Sequence, residues 1–322
     1  MNFYVQKHAG VINQETRGLI AKRYRTVTKA INREFYNSYS EVEHSLYVGS
    51  YGRYTAVDTS DIDIMVILPR EEYEHYDSYR GNGQSRLLQS VRNAIKQAYS
   101  MSDVRADGQV VKIAFSDEMK FEILPAFVSM DWGGNTIYEY PDSNQGGNWL
   151  SSNPKAEQEA IKQKNRSSNG LLVDTCRHMR VVRDSCFKSY HLSGIVIDSF
   201  VYSAIKDWRW CNPGVPSSSP KGSYEEIILR YWEDSIQFSP NSLTAPGSGD
   251  SVNVQKSNEC LGKVLRYMAG KYNVGDYMSI DRGESKNAEY KVALPDRSIK
   301  YTKTAVAFAN GEGGRIVFGI ED

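Results

Sequence analysis

Five residues of this 322-residue chain, Gly49, Ser50, Asp61, Asp63 and Glu122, combine types and spacing suited to one kind of chemistry. The first four lie in YVGSYGRYTAVDTSDIDIMVILP, residues 47–69, with ten residues between Ser50 and Asp61. In a strand, positions i and i+2 share a face, so Asp61 and Asp63 would stand side by side while Ile62 and Ile64 turn to the core. Two adjacent carboxylates repel each other, and a divalent cation relieves that repulsion. Hard oxygen ligands suit Mg²⁺ or Mn²⁺. Glu122, in KFEILPAF, is an acid in an otherwise apolar strand, where a charge needs a partner. It is the candidate for the third ligand of a two-metal site that orients a nucleophilic hydroxyl and neutralises leaving pyrophosphate. Gly49 lets backbone approach phosphate oxygens, and the Ser50 hydroxyl and nearby N–H groups can donate to them. Arg53 could add a charge-assisted contact. Alone, a Gly-Ser dipeptide means almost nothing, and paired aspartates are as easily a solvated surface. The ordered set is much more specific.

These residues need strands and turns to hold them. Apolar positions at three- and four-residue spacing over 11–37 (Val11, Leu19, Ile20, Val27, Ile31, Phe35) predict a long amphipathic helix. Ser45 to Val48 reads as a short strand, 49–54 as a turn, and Asp61 to Leu68 as a half-buried strand. Helical spacing returns over 85–99. Two strands around Asp107-Gly108 form a hairpin signal, and a strand over 121–127 is expected to stop at Pro125. Residues 138–149 are rich in Asn, Gly and Asp and read as a loop. Asn153-Pro154 looks like an N-cap with proline at the first helical position. Further helices are expected over 169–187, 194–209, 223–237 and 256–272, with Ser/Pro/Gly loops between them.

Composition excludes some classes. The 39 basic and 39 acidic residues balance, so global charge gives no case for nucleic acid or an anionic membrane, although a local groove could be basic. No apolar run approaches the roughly 18–20 residues that span a bilayer, and the first ten residues carry no apolar signal core. Cys176, Cys186, Cys211 and Cys260 form no CxxC pair, so reduced thiols in a cytoplasmic protein are expected. Cys176, His178 and Cys186 fit no common zinc spacing and read as ordinary helix residues.

GSYGRYTAVDTSDIDIMVILP resembles the signature of the polymerase-β-like nucleotidyltransferases. LLQSVRNAI, DGQVVKIAFSD, KFEILPAF, YPDSNQGGNW, NPKAE and NGLLVDTCRHMRVVRD narrow the resemblance, over residues 1–275, to the bacterial CD-NTases. These are SMODS-type cyclic oligonucleotide synthases related to cyclic GMP-AMP synthase and oligoadenylate synthase. The resemblance implies an α+β fold: a mixed-sheet nucleotidyltransferase core over 1–155 and a helical domain over 156–275, bilobed with the active site in the cleft. It implies Asp61, Asp63 and Glu122 as catalytic ligands of two Mg²⁺ (or Mn²⁺) ions, and Gly49 and Ser50 as holders of the donor triphosphate. The third acid is most often aspartate in the superfamily, so Glu122 departs from the pattern by one methylene. The implied activity is synthesis of a cyclic di- or trinucleotide from NTPs, ATP among them, in CBASS-type anti-phage defence, with an activating protein or phage signal as partner. No membrane partner is expected; a nucleic-acid partner stays open.

The helical part is expected to close the cleft. Arg177, Arg180 and Arg183, at i, i+3 and i+6, could reach phosphates, as could Lys188; the plainer reading is a solvated helix face. Tyr202 could stack on a base, with buried packing as the competing reading. Residues 284–322 resemble the start of an AlbA_2 (Schlafen-type) domain through AFAN, the glycines at 311, 313 and 314, and FGI. Strands over 289–292 and 315–320 and a helix over 299–309 are expected there. The match stops inside the motif, which suggests an effector-like domain fused downstream. Two other functions fit the same residues: a nucleotidyltransferase that modifies a protein, tRNA or small molecule, and a non-catalytic nucleotide sensor or scaffold. Neutral charge argues against tRNA, and an intact carboxylate triad argues against a pure sensor.

Overall fold

A computed structural model describes residues 3–58, 61–211, 222–239, 243–272, 288–291, 306 and 315–318. Helix α1 (Gln14–Phe35) starts where the Asn13 side chain accepts from Thr16 N–H, and its buried stripe includes Ile20, Val27 and Ile31. Strand β1 (Ser45–Tyr47) leads into a one-turn helix α2 (Gly49–Gly52), where the sequence predicted only a turn. Then come β2 (Ile62–Ile67), α3 (Arg70–Asp77), α4 (Gly83–Ala98) and the hairpin of β3 (Asp103–Asp107) and β4 (Val110–Ala114). Strand β5 (Lys120–Met130) is followed by β6 (Thr136–Asp142) and β7 (Asn148–Ser152).

Among the described residues these seven strands form one sheet, with β1-β2-β5-β4-β3 as its main order and β6 and β7 extending from β5. Only β2 and β5 run parallel within it; the other pairs are antiparallel. One face is apolar: Ile62, Ile64, Val66, Phe121 and Ile123 pack with residues of α1 and α4, including Ile20, Val27, Leu87 and Val91. Alternation therefore sends Asp63 and Glu122 to the other face.

Two expectations fail here. Strand β5 runs through Pro125 to Met130. Pro125 falls between the stretch paired with β4, ending at Ile123, and the stretch paired with β6, starting at Phe127. A missing N–H at that edge breaks no ladder there. The predicted loop over 138–149 is largely β6 and β7, with Tyr138 paired to Ser152 and Asp142 to Asn148 around a short 3₁₀ turn, Asn144–Gly146. Their polar composition hides them.

Helix α5 (Pro154–Ser167) is capped by the Asn153 side chain on Ala156 N–H, with proline at its first position. It is followed by α6 (Leu171–Cys186), α7 (Gly194–Ala204), α8 (Ser223–Ser235), a small hairpin of β8 (Leu243–Thr244) and β9 (Ser251–Val252), and α9 (Asn258–Met268). Leu171, Leu172, Met179, Val196, Ile197, Phe200 and Val264 are all fully buried. The chain divides into two compact units, Met1–Gly270 and Lys271–Asp322. In the second, β10 (Ala288–Lys291) pairs in parallel with β11 (Arg315–Phe318). The helix expected over 299–309 lies outside the described residues apart from Val306, as do the glycines at 311–314.

Candidate active site

The site is built around the junction of β1, α2 and β2. The β1–β2 ladder pairs Tyr47 with Ile64, and Val48 N–H donates to the Asp63 carbonyl at 2.9 Å. The chain then turns at Gly49, whose φ of +57° is a left-handed conformation that glycine adopts without a Cβ clash. A second constraint acts on the same position: a Cβ there would collide with the Asp63 carboxylate. Gly49 is therefore what lets the backbone of α2 lie directly against Asp63. The Ser50 carbonyl is anchored from the other side, accepting from Thr55 N–H at 2.9 Å and Ala56 N–H at 3.2 Å.

Register supplies the third acid. Asp63 on β2 is the cross-strand partner of Glu122 on β5. Burial, then Glu122, push the Asp63 carboxyl up to about 6, with Asp61 adding to the rise and Arg53 opposing it. Asp61 is exposed, at the mouth of the strand. Glu122 is in turn the partner of Lys112 on β4, which is the partner of Arg105 on β3. One row across the sheet thus reads acid, acid, base, base. Lys112 Nζ stands 3.3 Å from Glu122 Oε1 and 2.8 Å from Asp107 Oδ2.

Among the described residues no three carboxylate, imidazole or thiolate groups stand ready as a metal cluster. Glu122 is turned towards Lys112. The donor chemistry nevertheless fits a hard divalent cation. Asp61 and Asp63 flank Ile62, and Asp63 pairs with Glu122; burial first, then Glu122 and Asp61, raise the Asp63 carboxyl.

Two adjoining cavities share Asp63. One, of about 300 Å³, is lined by Gly49, Ser50, Arg53, Asp61, Asp63, Arg180, Arg183 and Gly194. The other, of about 480 Å³, is lined by Asp63, Glu122, Gln109, Tyr140, Ser152 and Ile195. Residues of α6 and α7 therefore face the carboxylates across the first cavity.

The cations there are already engaged. Arg53 donates from Nε to Asp198 Oδ2 at 2.9 Å and from Nη1 to Glu157 Oε2 at 2.8 Å. Arg180 donates to Asp198 Oδ1 at 2.7 Å and to the Gly194 carbonyl at 3.0 Å. Asp198 also accepts from the Thr55 hydroxyl at 2.9 Å. This largely buried network fastens α2 to α5, α6 and α7, and it engages the guanidiniums of Arg53 and Arg180. Arg183 is paired with Asp184 and with the Leu192 carbonyl. Lys188 is exposed and Tyr202 half-buried, and neither lines the two cavities. Arg177 lines a separate cavity. Sequence reasoning passes over Asp198, although its signal is the one that flags Glu122: a lone acid in an apolar run, GIVIDSFVYSA.

Residues 8–165, just under half of the chain, match the Second Messenger Oligonucleotide or Dinucleotide Synthetase domain, and residues 284–322 match a Schlafen, AlbA_2 domain. No curated protein sequence matches the chain. Among solved structures it is similar to a cyclic dinucleotide synthase, CdnE, of Elizabethkingia meningoseptica in complex with GTP and Apcpp (15% identity, 81% of this chain and 91% of that one, TM-score 0.54). It is also similar to a c-UMP-AMP synthase, CdnE, of Rhodothermus marinus (15%, 82% and 93%, 0.52) and to the di-nucleotide cyclase DncV of Vibrio cholerae (12%, 84% and 91%, 0.55). At these identities the likeness is one of fold. No helix among the described residues is long and apolar enough to cross a membrane.

Proposed function

We propose that this chain, a nucleotidyltransferase whose residues 8–165 form a second-messenger synthetase domain, links NTPs into a cyclic di- or trinucleotide. One observation carries the reading: Gly49 packs against Asp63, which lines one cavity with Ser50 and is in register with Glu122, which lines the adjoining cavity. In each step an acceptor ribose hydroxyl attacks the donor α-phosphorus, a new P–O bond forms, and the bond to pyrophosphate breaks. A final intramolecular transfer closes the ring.

Gly49 and Ser50 hold the donor triphosphate. Asp61, Asp63 and Glu122 are the residues that would hold divalent cations, two Mg²⁺ or Mn²⁺ ions in our reading. Bound there, the cations would supply Lewis-acid activation of the hydroxyl and charge neutralisation of pyrophosphate. Arg53, Arg180 and Asp198 keep α2 and the start of α7 at fixed separation, which sets the width of the cleft. Residues 1–155 and 156–275 act as the two lobes around it. The complexes of the CdnE relatives with GTP, Apcpp and Upnpp support NTP substrates, ATP among them. An activating protein or phage signal, a role in CBASS-type defence and a cytoplasmic setting follow from the same reading. The AlbA_2 match supports a downstream effector region.

Incubation with α-³²P-labelled NTPs and Mg²⁺, followed by phosphatase, tests the reaction class. Label is expected in a small phosphatase-resistant product that disappears in the Asp61→Asn, Asp63→Asn double variant. Label transferred to protein or RNA, or an unchanged yield in the double variant, would contradict it.

A further inference from the structure

Arg177 shares a helix with Arg180 but stands away from the carboxylates. It lines a cavity of about 500 Å³ together with Arg17, Tyr24, Tyr47, Tyr51 and Gln158. None of the described residues lining that cavity is acidic. Two guanidiniums therefore face one space with no counter-charge in its wall. Arg177 Nε is buried and finds no hydrogen-bond partner among the described residues. A buried, unsatisfied guanidinium donor is costly, and an anion would relieve it. Arg177 is also drawn below its ordinary basicity, by burial first, with Arg17 adding to the effect. Asp174, the nearby acid that opposes this shift, already accepts from His8 N–H at 3.0 Å and Trp210 Nε1 at 2.9 Å.

Tyr24, Tyr47, Tyr51 and Tyr54 also line the wall. The Tyr24 and Tyr47 rings stack at 4.2 Å, and Tyr47 and Tyr51 lie 4.8 Å apart. Flat faces beside two guanidiniums suit a ligand with an aromatic ring and an anionic group. The volume falls in the usual range for small-molecule pockets, roughly 300–1,000 Å³. We infer that this cavity binds a small aromatic anion, a ring bearing a phosphate or carboxylate, at a site separate from the nucleotide cleft. Tyr51 and Gly52 of α2 belong to its wall, while Gly49 and Ser50 of the same helical turn belong to the catalytic cavity. An occupant thus presses on the element that holds the phosphate-binding pair.

Titration calorimetry on the full chain tests this with three probes: 1-naphthyl phosphate, 1-naphthoate and neutral 1-naphthol. One equivalent of at least one anion should bind, at least tenfold more tightly than the naphthol, and the tighter anion identifies the preferred group. Binding should weaken tenfold or more in the Arg17→Gln, Arg177→Gln double variant. It should weaken similarly in Arg17→Glu, a change at an exposed helix position that leaves the core intact. Excess non-hydrolysable ATP analogue with Mg²⁺ should not displace the probe. The inference is overturned if neither anion binds, if naphthol binds equally well, if Arg17→Glu binds like wild type, or if the ATP analogue competes.

Discussion

Replacing Gly49 by alanine perturbs two quantities that the structure separates. The first is conformational: at φ +57° a residue with a Cβ is strained by roughly 1–2 kcal/mol. For a unit of this size that lowers the melting temperature by roughly 2–8 °C. The second is steric. The new methyl would occupy the place of the Asp63 carboxylate, so the carboxylate must move by roughly 1 Å or more to reach ordinary contact distance. A displacement of that size at a reacting centre lowers turnover by about 10²-fold, or about 2.7 kcal/mol in the barrier. Gly134 provides the control, because its φ is +76° and nothing lies near the position of an added Cβ. Gly134→Ala should reproduce the thermal loss and keep the activity. The assay is the rate of pyrophosphate release at saturating NTP, with melting followed by circular dichroism. A Gly49→Ala protein that melts normally and turns over within about threefold of wild type would refute the reasoning, because Asp63 would then not need its present position.

Other outcomes follow from the same geometry. Because the folded Asp63 carboxyl sits at about 6, above its unfolded value, metal-free protein should lose stability as pH rises from about 4 through 6, by up to ~3 kcal/mol; Asp63→Asn should flatten that limb in urea titrations. Asp198→Asn leaves Arg53 and Arg180 buried without their shared charge and should cost about 3–5 kcal/mol, or roughly 6–20 °C in melting temperature. Burial raises the Asp198 carboxyl, but Arg180 and Arg53 outweigh it and hold it below the ordinary range. Its contribution is therefore present above about pH 4 and lost as pH falls through the lower folded value; the variant should lack that acid-side loss. In the proposed metal site Lys112 would compete with a cation for Glu122, so Lys112→Met should tighten Mn²⁺ binding by up to about fivefold. Asp107→Asn, which leaves Lys112 to Glu122 alone, should weaken it; Mn²⁺ electron paramagnetic resonance reads both.

The part of the site carried by one short segment is legible in the amino-acid sequence. Gly49, Ser50, Asp61 and Asp63 share a turn and a strand, so period-two alternation and the glycine's freedom are enough. Glu122 stands out because an acid in an apolar strand needs a reason. The residues that escape depend on packing between distant segments. Arg53 reads as a phosphate contact by proximity to Ser50, yet its guanidinium is engaged by Glu157 and Asp198, more than a hundred positions away. Arg177 and Arg180 fall three apart on one helix, a rotation large enough to send them to different cavities. Strands β6 and β7 are hidden because Pro141, Asp142 and Asn148, with the Asn- and Gly-rich turn between the strands, read as loop signals. Their pairing comes from β5 extending past Pro125, which local propensity does not encode.

Mass spectrometry of the phosphatase-treated product from a four-NTP mixture with Mg²⁺ tests the central claim most directly. A mass equal to two or three nucleoside monophosphates less two or three waters, with one pyrophosphate released per linkage, is the predicted result. Only linear oligonucleotides, only nucleosides, or the same cyclic mass from the Asp61→Asn, Asp63→Asn protein would contradict it.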